Sequence, residues 1–311
     1  MVAEHAVASM IHIHNGDVVA VAASRAGIPG EHLPYRESLV TGPVVPGDDW
    51  IETRARSITD AHGEDLLRVR TQLMEQEQAL EAAPSQGEIV LWFEHDLYCL
   101  VHLVYLLQRF ADARVSVVWC PTPLSESDER GLYNLFESRA AVLPTMTSAA
   151  REAWRAYTSA DPTALNAFLG QDTPDFPFLR DGLLLHASRF PWTTNGLGAI
   201  EQRALTHIAN GFSDFATIFD HMNAEVPRFG FGDTEVFRHL RAMATRPVPL
   251  ITLSGDAPKA ICTITPAGEN VLRGTVDDLT INDPDLWLGG AHLTKEHVWR
   301  FDGLRLSPSA V

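Results

Sequence analysis

The sequence predicts an α/β protein. It reads as a Rossmann-like three-layer domain with a mostly parallel sheet, followed by a helical region and a C-terminal winged-helix-like domain. Three observations predict this. In the first 125 residues short apolar runs alternate with helical patterns, the order of parallel strands joined by helical crossovers. One run, Ile89 to Phe93, is apolar throughout, as a strand covered on both faces must be. Towards the C-terminus come three amphipathic helices, an apolar hairpin and a helix opening with Thr265-Pro266.

The elements follow in order. Residues 6–14 (AVASMIHIH) read as the first strand, with Ile11 and Ile13 alternating with His12 and His14. Asn15-Gly16-Asp17 is a turn, and the helix from Val18 to Ala26 stops at Gly27 and Pro29. Residues 32–36 form a short second strand. Two helices fill Asp48 to Ala83, divided at His62-Gly63, and 84–87 (PSQG) stops the second. After the central strand, Leu100, Leu103, Val104 and Leu107 keep helical spacing, and Val115 to Trp119 is the next strand. Residues 122–190 are helical and irregular. The composition divides the chain into an α/β domain (1–125), a helical extension and linker (126–194) and the winged-helix-like part with an aromatic tail (195–311) that packs back. There, Ile200 to Ala209 is capped by Asn210-Gly211, Ser213 caps Asp214 to Met222, and Asp233 or Thr234 opens the third helix. Leu250–Leu253 and Ala260–Ile264 pair through the turn Ser254-Gly255-Asp256.

A length of 311 residues exceeds one small core. The formal charge of −16 opposes broad binding to nucleic acid or anionic membrane. Three scattered cysteines, no basic and apolar leader, and no apolar run near ~18 residues lead to a cytoplasmic protein as the expectation, with no membrane span.

The chemistry concentrates where strands hand over to helices, the edge at which open α/β sheets bind ligands. Glu94, His95 and Asp96 follow the central strand directly. Two carboxylates and an imidazole suit acid/base catalysis or a divalent metal. In the plainer reading Asp96 caps the next helix and Glu94 pairs with an arginine. Asn15, Gly16 and Asp17 end the first strand, where a glycine lets a phosphate or carboxylate approach helix N–H groups, although a turn with an N-cap explains them as well. Glu37 stands 20 residues after Asp17, a spacing compatible with ribose binding. Arg36 is an anion clamp or, more simply, the buried partner of Glu94 or Asp96. Arg54 is a further candidate for the same hollow. His12, His14, His95 and His186 could gather on a metal, but lone histidines near strand ends are more often hydrogen-bonded core residues.

HNGD at 14–17, YRESLVTGPV at 35–44 and LWFEHDLY at 91–98 together resemble the family known as domain of unknown function 1835, over about the first 120 residues. GLGAIEQRAL, CTITPAGENVL and DLWLGGAHL through WRFD resemble the C-terminal region that often accompanies it. Members commonly carry Ser after the Gly-Asp pair. Here Val18 stands there, which leaves a Gly-Asp-Ser mechanism without its nucleophile. The resemblance implies an α/β domain with a polar pocket and a winged-helix-like domain, and no reaction.

Two functions fit. One is a small-molecule-binding enzyme of hydrolase or transferase type, taking a nucleotide or phosphorylated metabolite, with His95 or Glu94 as acid/base and Arg36 as clamp. The alternative is a ligand-sensing regulator or adaptor. Arg228, Arg238, His239, Arg241 and Arg246 offer a sparse basic footprint among Glu225, Asp233 and Glu235, which favours protein binding or homodimerisation through the winged helix over DNA.

Overall fold

The computed structural model describes residues 10–309. A five-stranded sheet runs in the order β2-β1-β3-β4-β5. It is built from β1 (Met10–Asn15), β2 (Glu31–Tyr35), β3 (Glu88–Glu94), β4 (Val115–Cys120) and the two-residue β5 (Ala140–Ala141). The first four strands are parallel, and β5 pairs antiparallel with β4. Residues 6–9 of the expected first strand lie outside the described residues.

α1 (Asp17–Arg25) crosses from β1 to β2, α2 (Trp50–His62) and α3 (Leu66–Ala82) lead to β3, and α4 (Leu97–Arg109) leads to β4. α5 (Glu129–Glu137), α6 (Pro144–Tyr157), α7 (Asn166–Leu169) and α8 (Leu179–Ala187) make the helical middle of the chain. Side-chain alternation sorts the layers. Val90, Trp92 and Val118 pack with Val19 and Ala23 of α1 and Leu132 and Phe136 of α5. Ile11, Ile13, Ile89, Leu91 and Phe93 face the other way, into a core with Leu100 and Leu103 of α4 and Ala150 and Ala153 of α6. Local chemistry sets the stops: Gly63 ends α2 in the left-handed conformation (φ 69°), and the Asp65 side chain caps α3.

The C-terminal half holds α9 (Ala199–Ala209), α10 (Phe215–Ala224), α11 (Asp233–Thr245), the antiparallel pair β6 (Ile251–Ser254) and β7 (Ile261–Ile264), and α12 (Pro266–Leu272). Thr265 caps α12 through the Gly268 amide, with proline in its first turn. Asp214, not Ser213, caps α10: its carboxylate accepts from Thr217 N at 2.9 Å, while the Ser213 carbonyl accepts from Cys262 N. Two further hairpins, β8 (Leu286–Leu288) with β9 (Ala291–Leu293) and β10 (Trp299–Phe301) with β11 (Leu306–Pro308), complete the chain. The tail packs back as its aromatic content requires, with Phe301 and Leu306 buried and Phe301 N bonded to Pro191 O at 2.9 Å.

One hydrophobic cluster runs from the sheet into this half, from Ile11 to Leu306. Backbone bonds tie the two together: Val44 N to Gly289 O, Leu97 N to Arg228 O and Tyr98 N to Phe229 O. No helix among the described residues is long and apolar enough to cross a membrane.

Candidate functional site

The strand order places a topological switch between β1 and β3, the position at which doubly wound sheets take ligands. Asn15-Gly16-Asp17 and Glu94-His95-Asp96 flank it. The structure does not gather these residues and the arginines into one hollow; each finds a different partner.

Asp17 and Arg36 pair with each other. Arg36 Nε donates to Asp17 Oδ2 at 2.9 Å in a two-point contact, with more than half of each side chain exposed. Hydrogen bonding from Arg36 holds the Asp17 carboxyl below its ordinary pKa. The expected buried pairing of Arg36 with Glu94 or Asp96 is therefore corrected: α1 carries its own acid at its first residue, and the arginine one position past β2 meets it at the sheet edge. That acid also supplies the negative charge an incoming anion would have brought to the helix start. Gly16 makes the sharp exit from β1 (φ 80°), its amide donating to His14 O and Tyr35 O. Asn15 points inward, its Nδ2 3.1 Å from Cys99 Sγ.

Glu37 and Arg54 form a second, buried pair. Arg54 Nη2 donates to Glu37 Oε1 at 2.7 Å, and Nε adds a longer contact at 3.3 Å. The rest of the guanidinium holds the loop after β2, donating to the carbonyls of Ser38, Thr41 and Pro43 at 2.8–2.9 Å. All five of its N–H donors have acceptors, so Arg54 is a loop clamp with nothing to offer a ligand. Asp17, Arg36, Glu37 and Tyr98 line a cavity of about 770 Å³ against α2 and α3.

The Glu94-His95-Asp96 run splits three ways. Glu94 accepts from Leu124 N at 2.9 Å, and burial raises its pKa. Asp96 is buried and caps α4, accepting from Cys99 N at 2.7 Å, and burial pushes its carboxyl up to about 7. The next two amides of α4 donate to the carbonyls of Arg228 (3.1 Å) and Phe229 (3.0 Å). Gly230 lies so close that a Cβ there would stand 2.4 Å from the Asp96 carboxyl. Residues 228–230 thus cover the start of α4, whose first amides would otherwise be free to meet an anion. This segment joins α10 to α11, and no local pattern announces that it docks on Asp96 and the start of α4.

His95 alone of the three opens onto free space. Its ring lies 4.4 Å from that of Trp119 and stacks on Phe178 at 5.4 Å with 10° between planes. Burial lowers its pKa, and Nε2 has no hydrogen-bond partner. Phe178 has φ 67°, the one positive φ outside glycine among the described residues. An aromatic residue held there is strained by roughly 1–3 kcal/mol, and such strain clusters at functional sites. His95 and Phe178 line a cavity of about 1150 Å³ with Arg203, Arg228, Trp192 and Val226. Arg228 reaches Pro121 O at 2.9 Å and makes no ion pair with a carboxylate among the described residues. Trp119, Phe178 and Arg228 were absent from the sequence-derived site. Their approach spans many residues, and φ cannot be read from a sequence.

The HIH motif gathers not with His95 or His186 but with His32. The His12 and His32 rings stack at 4.6 Å and 11°, and those of His14 and His32 at 5.1 Å and 23°. Ligand lone pairs lie in the ring planes, so near-parallel stacked rings do not aim at one ion ~2.0 Å away. A single tautomer set uses five of the six nitrogens instead, leaving only His14 Nδ1 buried without a partner. His12 Nε2 donates to Pro29 O and Nδ1 accepts from Trp92, while His14 Nε2 donates to His32 Nδ1 and His32 Nε2 donates to Ile28 O. Burial lowers His12 to about 4 and His14 to about 2, keeping both neutral. The three rings fit a hydrogen-bonded core array and do not fit a metal.

No protein-family model matches the chain, and no curated protein matches it.

Proposed function

We propose that the protein binds a small phosphorylated molecule, a nucleotide or related metabolite, in the cavity at the carboxyl ends of β3 and β4, and acts on it as a hydrolase or transferase with His95 as acid/base. The observation that carries this is the pairing of His95, whose buried Nε2 has no hydrogen-bond partner, with Phe178 in a strained backbone. The aromatic wall suits a flat ring, and Arg228 takes the clamp role that Asp17 denies to Arg36. On this reading the family resemblance to domain of unknown function 1835 describes the same edge of the sheet.

Titration calorimetry of the full chain against nucleoside phosphates and sugar phosphates tests it. At least one ligand is expected to bind, and His95→Ala to weaken binding tenfold or more or to abolish turnover. Phe178→Gly, which relieves the φ strain, is expected to fold normally and bind worse. The reading fails if nothing binds at millimolar concentration, or if both variants bind and turn over like the parent.

A second reading, a regulator or adaptor, draws on the order α9, α10, α11, β6-β7 and α12, read as a winged-helix-like arrangement. Within it, protein binding or homodimerisation is favoured over DNA. On α11, Arg238 pairs with Glu235 and Arg241 with Asp256, which leaves the helix little uncompensated positive charge for a DNA backbone.

A further inference from the structure

Arg189, just past α8, is the one cation lining a second large cavity that has no carboxylate partner. The cavity, about 740 Å³, lies between the loop at Thr41 and Gly42, the start of α9, and α11. Its other lining cations are matched: Arg246 with Asp278, Arg238 with Glu235, and His239 with Glu201. The acids at its mouth, Asp283 and Asp285, are held by Lys295 and His292.

Arg189 is only 5% exposed. Nη2 donates to Val40 O at 2.8 Å, and the guanidinium lies 5.3 Å over the Phe231 ring. Nε and Nη1, which carry three N–H donors, have no acceptor. Tyr157 donates its hydroxyl to Leu39 O and keeps lone pairs on the same oxygen that face Arg189, which holds the phenol down against burial. Two neighbours share the condition. Arg238 Nε is buried without an acceptor, and His239, with Nδ1 2.9 Å from Glu201, has an open Nε2. Glu201 and Glu235 act on Arg189 through space without forming an ion pair, and a buried cation whose donors are only partly used is costly unless another group supplies acceptors.

We infer that this cavity is a binding site for the phosphate group of a small metabolite, held by Arg189 with Arg238 and His239. A phosphate monoester has three terminal oxygens for the open N–H donors. It retains a proton near neutral pH that His239 Nε2 can accept, which neither a carboxylate nor sulfate offers. The cavity exceeds a phosphate in size, and Trp287 on its wall leaves room for an organic portion. The site shares no residue with the His95 cavity and stands or falls separately from it.

The probe is inorganic phosphate, titrated against the full chain at constant ionic strength while the melting temperature is followed, with sulfate and acetate as controls. Phosphate is expected to raise the melting temperature saturably and more than either control. Arg189→Met is expected to fold, to be no less stable than the parent in phosphate-free buffer, and to lose the phosphate shift. Should that variant not fold, His239→Gln asks the same question and is expected to weaken binding at least tenfold. Three results overturn the inference: no saturable shift with phosphate, an equal shift in the variant, or a loss of stability in Arg189→Met without any phosphate response in the parent. The last would make Arg189 a structural partner of the equally unsatisfied Glu235 Oε1.

Discussion

Two arginines are buried in this protein, and they are opposites. Arg54 is fully buried with a carboxylate, three carbonyls and no idle donor. Arg189 is almost as deeply buried with one carbonyl and two nitrogens left over. Burial therefore does not separate a structural charge from a functional one; whether its hydrogen-bonding capacity is used does. The same test divides the rest of the molecule. At the sheet edge around β1 and β2 the charges answer one another, while His95 and Arg189, each beside a cavity, keep buried polar atoms without partners.

The sharpest way to break this comparison is to remove Arg54. Arg54→Met leaves Glu37 buried without its counter-charge and frees the carbonyls of Ser38, Thr41 and Pro43. A loss of roughly 3–5 kcal/mol is expected by urea denaturation. Arg189→Met, at similar depth, is expected to cost nothing in phosphate-free buffer. Equal losses in the two variants would erase the distinction.

The sequence made one side of this comparison legible and not the other. The buried run of β3, the stop at Gly63 and the cap at Thr265-Pro266 depend on residues within a turn of each other, and local chemistry settles them. Asp96 as a cap belongs with these. The partner of Arg36 did not: several acids were within reach, and only the β1–β2 register brings Asp17 alongside. Residues 228–230 over the start of α4, and Val40 under Arg189, join positions more than a hundred residues apart, and neither side carries a mark of the other. Arg189 had no motif around it at all. An unsatisfied donor is a property of surroundings, so it shows only once the chain is folded.

Asp96 sharpens the comparison from the acidic side, being buried at the sheet edge without an ion pair. Its folded pKa is raised to about 7, mainly by burial, above an unfolded value near ~3.9. Between those values the folded state holds the extra proton, so this group's contribution to stability falls as pH rises through the window and is lowest above about 7. Asp96→Asn keeps an oxygen for the Cys99 amide and removes the ionisation. The variant is expected to gain on the parent progressively from about pH 4 to pH 7, reaching roughly 2–4 kcal/mol. The buried histidines titrate in both proteins, so the difference between their denaturation curves isolates Asp96. A difference independent of pH would mean that Asp96 is ionised throughout.

The smallest effect is expected where charges are both paired and wet. Arg36 and Asp17 make a two-point contact, yet each side chain is more than half exposed, and water screens the pair. Arg36→Ala is expected to change stability by less than ~1 kcal/mol, and less still at high salt. The end of β2 stays in place in the variant, because Gln76 Oε1 accepts from the Arg36 backbone amide at 2.6 Å, and alanine keeps that amide. Arg36→Ala therefore separates stability from binding cleanly. If it leaves the unfolding midpoint alone but abolishes the response to a nucleotide, the ligand sits at the Asp17 edge and not beside His95. If both are unchanged, the exposed pair is surface chemistry, and the unpartnered groups deeper in the molecule are where binding takes place.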